Sequence, residues 1–290
     1  MMRTIYLIYE SWRKHLIYYL IINIFNEFLV GKGYNVIITN DASVVKDNDI
    51  LLLIGIYHKE LFDNKKIKII FFCLEPLYTD NYNYLSKYIN LKNVVAWIDY
   101  TNKNINLIKK INNTKPILQC KLFYSKFCED HYKNNIKSII KDKKIDILIY
   151  GSISNRRENI IKKLRKLNIN VVETRQKFTD IYNFIENSKI VLVVHHYDED
   201  YPVDFPRLMK LISSKTFFIH EEIQDEDKDF DFKHIIFSKY DKLVEKCVKY
   251  LKLSQEDRDN HALLCYEYYK NKGFLESFFD EFQNIISNIN

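Results

Sequence analysis

Glycine and proline are scarce: the 290-residue chain holds five glycines and four prolines. So few glycines argue against a glycine-rich mononucleotide loop, and so few prolines against a disordered linker. Cysteine is no richer. Cys73, Cys120, Cys128, Cys247 and Cys265 are an odd number, widely spaced, with no C-x-x-C pair. That pattern argues against a zinc site and predicts reduced, mostly buried thiols in a cytoplasmic protein. A strong charge of one sign is missing too, since 44 basic and 38 acidic residues leave only +6. This excess suits an anionic ligand or surface without demanding nucleic acid. No apolar stretch is long enough to span a bilayer. Leu16 to Val30 comes nearest, but Asn23, Asn26 and Glu27 interrupt it and no small-residue cleavage site follows. An amphipathic helix packed on a sheet is the expectation there. Also absent are G-x-x-x-x-G-K-S/T, a strand-linked G-x-G-x-x-G, H-E-x-x-H and G-x-S-x-G. ATPase, Rossmann dehydrogenase and hydrolase readings lose weight accordingly. Gly31-Lys32-Gly33 follows a helix pattern, so it is a helix cap rather than a nucleotide loop.

What is present is a doubled alternation of strand and helix patterns, in a chain that is 47% hydrophobic. The first half predicts a strand over Thr4–Tyr9 and a helix over Trp12–Lys32. Strands follow at Val36–Thr39, Ile50–Ile54, Ile67–Leu74 and Val94–Ile98, then a helix over Asn102–Ile111 and a last strand at Ile117–Leu118. A charged connector with a helix occupies Lys121–Lys143. The second half predicts strands at Ile145–Tyr150, Val171–Glu173, Ile190–His195, Thr216–His220 and Ile235–Phe237. Between them fall helices at Arg156–Leu167, Phe178–Glu186 and Phe205–Ser213, and helices over Lys239–Leu253, Glu256–Lys270 and Phe274–Ile286 close the chain. Strands apolar on both faces and separated by helices imply parallel sheets covered on each side. The predicted class is α/β, with two Rossmann-like doubly wound domains and a cleft between them. The expected divisions are 1–125, 126–265 and a closing helix over 266–290.

Ligands of such sheets sit beyond the carboxyl ends of the strands. Gly55, Glu75, Asp99, Gly151, His195 and Glu221 all fall at or just after predicted strand ends. The segment Ile145–Tyr150, Gly151, Ser152 and then Arg156-Arg157 is the most specific of these. A helix start carries unpaired N–H groups and a partial charge of about +0.5, and guanidinium forks added there cradle a phosphate. A plain strand–turn–helix corner with solvated arginines is the competing reading. Arg207 opens a helix, where a cation opposes the dipole, so either an anionic ligand or an ion pair with Asp204 explains it. His195 is a candidate hydrogen-bonding partner for a ligand, and Glu221 for two hydroxyls of a ribose or sugar. Asp198-Glu199-Asp200 and the run Glu221–Asp229 are acidic. The first mimics a divalent-ion motif, yet both also fit solvated loops, and no metal site is expected.

These residues resemble the GT-B glycosyltransferases, especially the branch that holds spore-maturation-type and giant-virus sugar transferases. That branch has a strand–Gly–x–x–x–x–Arg–Arg turn, matched by Gly151 and Arg156-Arg157. It also has a strand ending in Asn–x–His, an Arg-led helix and a strand ending in Glu, at which places stand His195, Arg207 and Glu221. Leu74-Glu75-Pro76-Leu77 and Asp99-Tyr-Thr-Asn-Lys-Asn104 echo its first half, so that the likeness spans about residues 70 to 240. The chain departs from the pattern at Val193 (Asn in the branch), Lys210 (an acidic residue) and Lys215 (Gly).

The resemblance implies hexosyl transfer from a nucleotide-diphosphate sugar, a UDP- or GDP-sugar, to an acceptor hydroxyl, with no required metal. Gly151, Ser152, Arg156, Arg157, Lys210 and Glu221 would hold the donor, and Glu75, His195 and Arg207 would be the catalytic set. Glu10, His15 and Asp99 are further acceptor-side candidates. Burial after a long apolar strand is expected to raise the pKa of Glu75 toward that of a useful base. The resemblance also implies a cytoplasmic protein (host cytoplasm if viral), with neither a nucleic-acid partner nor a transmembrane segment. The departures support an alternative, a non-catalytic nucleotide- or carbohydrate-binding module. Net charge and 22 tyrosines support a third, a nucleic-acid-binding protein.

Overall fold

The computed structural model describes residues 4–8, 16–55, 66–77, 83–174, 180–196, 202–223 and 231–289. Glu10, His15, the Asp198–Asp200 segment and Asp225–Asp229 lie outside them, as do the predicted ends at Tyr9, Trp12 and Phe178. The chain divides into two compact units, one of Met1–Lys121 with Phe274–Asn290 and one of Leu122–Gly273.

The first unit is built on β1 (Thr4–Ile8), α1 (Leu16–Gly31), β2 (Asn35–Thr39), β3 (Ile50–Ile54), β4 (Lys68–Phe72), β5 (Val94–Asp99), α2 (Asn102–Ile111) and β6 (Ile117–Gln119). Its six strands run in the order β2-β1-β3-β4-β5-β6. Every pairing is parallel. Central strands are therefore apolar on both faces: all five residues of β3 are buried. The edge strand β2 leaves Ile37 and Ile38 exposed. One core cluster joins Leu51, Leu53, Ile69, Phe71, Trp97 and Ile108. In it the Phe71 and Trp97 rings meet edge to face at 4.8 Å. The predicted amphipathic helix is α1, which buries Leu20, Ile21, Ile22, Ile24, Phe25 and Leu29. Among the described residues no helix is long and apolar enough to cross a membrane.

The second unit comprises α3 (Lys126–Asn135), β7 (Ile145–Tyr150), α4 (Asn155–Lys166), β8 (Val171–Thr174), α5 (Asp180–Glu186), β9 (Ser188–Val193), α6 (Phe205–Ser213), β10 (Phe218–Glu221), β11 (Ile236–Ser238), α7 (Leu243–Leu251) and α8 (Gln255–Asn271). Its sheet runs β11-β10-β9-β7-β8, again parallel at every pairing. The strand order reverses at β7, between β8 and β9. Crevices at such a switch point are where doubly wound sheets take ligands. The last helix, α9 (Phe274–Asn288), belongs to the first unit although it follows the second in sequence.

Several boundaries shift from expectation, for local reasons. Strand β9 starts at Ser188, which pairs with Ile145, so His195 lies two residues past its end. Strand β10 starts at Phe218 rather than Thr216, so Glu221 is its last residue. Lys215 causes that delay. It takes φ +53, and backbone bonds from Lys215 to Ile212 and from Thr216 to Leu211 close α6 first. A lysine thus occupies a left-handed position that favours glycine, at a cost of about 1 kcal/mol. The helix expected from Lys239 begins as a short 3₁₀ turn at Tyr240–Lys242. All five cysteines are buried free thiols.

Candidate donor site in the second unit

Gly151 ends β7 with φ +106, a conformation L side chains rarely adopt. A Cβ at this position would stand 3.3 Å from both Arg157 Nη1 and Arg207 Nη2. Glycine is required here twice, by its backbone angle and by the approach of two guanidinium groups. Ser154 then caps α4, its hydroxyl accepting from the Arg157 N–H at 3.4 Å. Ser152 is exposed, and its carbonyl faces Arg157.

The two helix-opening arginines have different tasks. Arg157 is only 5% exposed. Its Nε and Nη2 donate to the Val194 carbonyl at 2.8 and 2.6 Å, and Nη1 donates to the Ser152 carbonyl at 2.6 Å. It staples the β7 turn to the exit of β9. Burial and the neighbouring Arg207 cation bring its pKa down to about 10. Arg156 instead pairs with Glu221 Oε1. Its guanidinium carbon lies 4.0 Å from the centre of the Tyr240 ring, whose hydroxyl donates to the Arg156 carbonyl at 2.9 Å.

Glu221 Oε2 accepts from the His195 backbone N–H at 2.8 Å. Both its oxygens therefore have protein partners. Burial raises its pKa, against the lowering effect of that N–H and of Arg156. The His195 Nε2 lies 3.0 Å from the Glu222 carbonyl, which assigns the proton to Nε2. Burial drops its pKa to about 4, so the ring is neutral at pH 7.

Arg207 realises the ion-pair reading: its Nη2 is 3.2 Å from Asp204 Oδ2. Asp204 also caps α6, Oδ1 accepting from the Arg207 N–H at 3.3 Å. Burial alone would raise the Asp204 carboxyl, but the Arg207 cation and His220 hold it below its ordinary value. The Asp204 N–H donates to His220 Nε2 at 3.3 Å, and His220 Nδ1 bonds the Glu221 carbonyl. Tyr150 lies beneath two cations, with the Arg207 guanidinium carbon 4.7 Å and Lys210 Nζ 4.3 Å from its ring centre.

Seven of the nine expected site residues thus gather at the carboxyl edge of the second sheet: Gly151, Arg156, Arg157, His195, Arg207, Lys210 and Glu221. Ser152 contributes its carbonyl, and Glu75 lies in the other unit. Sequence reasoning missed Tyr150, His220 and Tyr240. Only Tyr150 carried a signal, its place directly before Gly151. Among the described residues no group of three or more His, Cys, Asp or Glu is placed to hold a metal ion.

In the first unit the deeply buried carboxyl belongs to Asp99, at the end of β5, while Glu75 is half-buried. Asp99 Oδ1 accepts from the Thr101 N–H and Oδ2 from Asn104 Nδ2, both at 2.9 Å. Asn104 in turn donates to the Glu75 carbonyl at 2.9 Å and accepts from the Leu77 N–H at 2.8 Å. The turn that carries Glu75 is therefore pinned to α2. Burial lifts Asp99 from an ordinary 3.8 to about 7, against hydrogen bonds that lower it. The native state then binds this proton more tightly than the unfolded chain does. The resulting stabilisation is full below the unfolded value and is lost as pH rises through about 7. His195 and Lys210, whose pKa values burial lowers, favour the opposite direction, so Asp99→Asn should make the melting midpoint rise more from pH 5.5 to pH 8 than it does in the wild type.

No family model matches the chain. An uncharacterized protein of Acanthamoeba polyphaga mimivirus is 32% identical over 193 residues, 64% of this chain and 62% of that protein. Solved structures are similar over nearly the whole length. An α-glucosyltransferase in complex with UDP and DNA containing an HMU base matches with TM-score 0.64 and 11% identity, covering 99% of this chain and 100% of that one. The fold is GT-B. The T4 phage β-glucosyltransferase gives TM-score 0.59 and 14% identity over 98% and 99% of the two chains. An α1,3-fucosyltransferase with GDP gives 0.54 and 13% over 99% and 90%. These neighbours are glycosyltransferases, and at such identities the likeness is one of fold.

Proposed function

We propose that this chain is a glycosyltransferase that takes a sugar from a nucleoside-diphosphate donor and passes it to an acceptor hydroxyl. The charge of the cluster beside Gly151 carries the proposal. Among the described residues, four cations (Arg156, Arg157, Arg207 and Lys210) meet two carboxylates, Glu221 and Asp204. Each carboxylate already pairs with an arginine, so Arg157 and Lys210 are left without an acidic partner. Arg157, with Lys210 once it is protonated, matches the two charges of a pyrophosphate link, at the switch point where doubly wound sheets take ligands.

Sugar transfer is limited largely by the departing diphosphate. Fixed positive groups stabilise it without reorganising, and each is worth about 3 kcal/mol. Side chains supply that charge, so this reading requires no divalent ion. Neutral His195 orients the donor by hydrogen bonding, the exposed Ser152 faces it, and Glu221 acts through Arg156 and the His195 backbone. Glu75 is the proposed acceptor-side base.

The test is binding and turnover with UDP-, GDP- and dTDP-sugars. A ligand at a hundred times its Kd should stabilise the fold by about 2.7 kcal/mol, visible as a rise in melting temperature. Acceptors to try include glycans and DNA with an HMU base, because one neighbour holds such DNA. No shift and no turnover with any donor would overturn the reading. Tight nucleotide binding without turnover would favour a binding module instead. The occupied oxygens of Glu221 favour that second reading, because a ribose would have to compete with them.

A further inference from the structure

Among the described residues, Lys210 is the one member of the cluster whose burial no partner explains. It lies in the second turn of α6 and is 4% exposed. Its Nζ stands 4.3 Å from the Tyr150 ring centre and 5.8 Å from that of Tyr182. Among the described residues no carboxylate, carbonyl or hydroxyl receives a hydrogen bond or ion pair from it. An ammonium out of water without an acceptor is costly, and two ring faces offset only part of that cost.

The described groups around it do not supply the missing charge. Arg207 lies one turn earlier on the same helix and adds repulsion. Asp204 at the helix cap is held by Arg207. Helix α3 presents His131 and the thiol of Cys128, α5 presents Tyr182, and β7 presents Tyr150. Burial and the Lys210 charge lower the pKa of His131, which keeps it neutral above pH 7. Arg207 shares the Tyr150 ring with Lys210, and Arg207 and Arg157 both reach Gly151 next door. The amine therefore belongs to the same cation cluster.

We propose that Lys210 is a specificity-determining residue that enters the complex protonated only when a phosphate anion arrives, so that binding draws one proton from solvent. The inference rests on the donor reading above and adds to it. The balance is simple: the free site holds R–NH₂, the buffer gives up H⁺, and the occupied site holds R–NH₃⁺ against the anion. Ligands without that charge, such as a bare nucleoside, gain nothing from it. Burial first, and Arg207 second, bring the free amine down to about 7. An adjacent diphosphate restores the ordinary lysine range. Affinity should then fall up to about tenfold per pH unit above pH 7.

Calorimetry on the full chain tests this. Inorganic pyrophosphate, UDP, GDP, uridine and guanosine are titrated at pH 8 in HEPES and in Tris, whose ionisation enthalpies differ. The terminal phosphates of UDP and GDP, with second pKa about 6, are already ionised at that pH. The nucleotide that binds should take up about one proton, since an amine with its pKa near 7 is about nine-tenths neutral at pH 8; pyrophosphate should take up fewer, because it brings its last proton with it. The nucleosides should take up none. Lys210→Met should abolish the uptake and weaken phosphate binding, by roughly a hundredfold more at pH 6.5 than at pH 9. The substitution places a thioether where the ammonium was, so its melting temperature should rise, which checks folding independently. Nucleotide binding without proton uptake, or uptake that survives in Lys210→Met, overturns the proposal and leaves the donor reading standing. Pyrophosphate binding that Lys210→Met weakens, with no nucleotide bound, overturns the donor reading and leaves Lys210 standing. Failure of every ligand to bind overturns both.

Discussion

A chain ending at Gly273 should lose the fold of its first unit. The missing helix α9 buries Phe278, Phe279, Phe282 and Ile286. Three of these rings surround Phe25 of α1, with centroids 5.8, 5.3 and 5.2 Å away, and Phe279 also stacks on Phe28 at 3.9 Å. Burying each such side chain contributes about 1.5–3 kcal/mol. Four of them together rival the whole stability of a domain, about 5–15 kcal/mol. The expected result is rapid proteolysis between residues 16 and 119 in the truncated chain, with the second unit still protected. In the full chain Phe282→Ala should cost about 3–5 kcal/mol, read from denaturant unfolding. Equal protease resistance with and without α9 would show that the aromatic cluster is dispensable.

Replacing Arg207 with methionine should lower turnover by about a hundredfold to a thousandfold. Its guanidinium lies against Tyr150 and beside Gly151, where the proposed pyrophosphate binds. The loss should fall mainly on kcat, because leaving-group charge is greatest in the transition state. The same change strands the half-buried Asp204 carboxylate, so a stability loss of about 1–3 kcal/mol is expected alongside. Arg207→Lys separates the two effects. It keeps a charge near Asp204 and so most of the stability, but it loses the planar fork and the ring contact. Its turnover should lie between wild type and Arg207→Met. An Arg207→Met protein that turns over normally would remove Arg207 from the site.

The placement of the site was legible because strand ends are legible. The run Ile145–Tyr150 stops at a glycine, and doubly wound sheets collect their functional residues beyond such stops. Arg156 and Arg157 were likewise legible as openers of α4. Their directions were not. Adjacent helix residues point about 100° apart, so one guanidinium turns under the sheet edge while its neighbour faces Glu221 and Tyr240. Glu75 was expected to be the buried carboxylate of the first unit, because it follows an apolar strand. Asp99 holds that place, because β5 lies between β4 and β6 and its last residue ends inside the unit. The ion pair of Arg207 with Asp204 is legible as one of two readings, since both sit within one turn of the same helix start.

Local order alone settled the alternation of strands and helices, the two parallel sheets and most of the residues brought to the carboxyl edge of the second. Periodicity and caps act over a few neighbouring residues, and a linear chain displays them. Tertiary structure alone decided which of those side chains hold each other and which keep an unmatched charge. Arg157 meets its carbonyl 37 residues away and Arg156 its carboxylate 65 residues away. Lys210 has none among the described residues. Protonation follows from burial and from such distant partners, and both exist only once the sheet has formed.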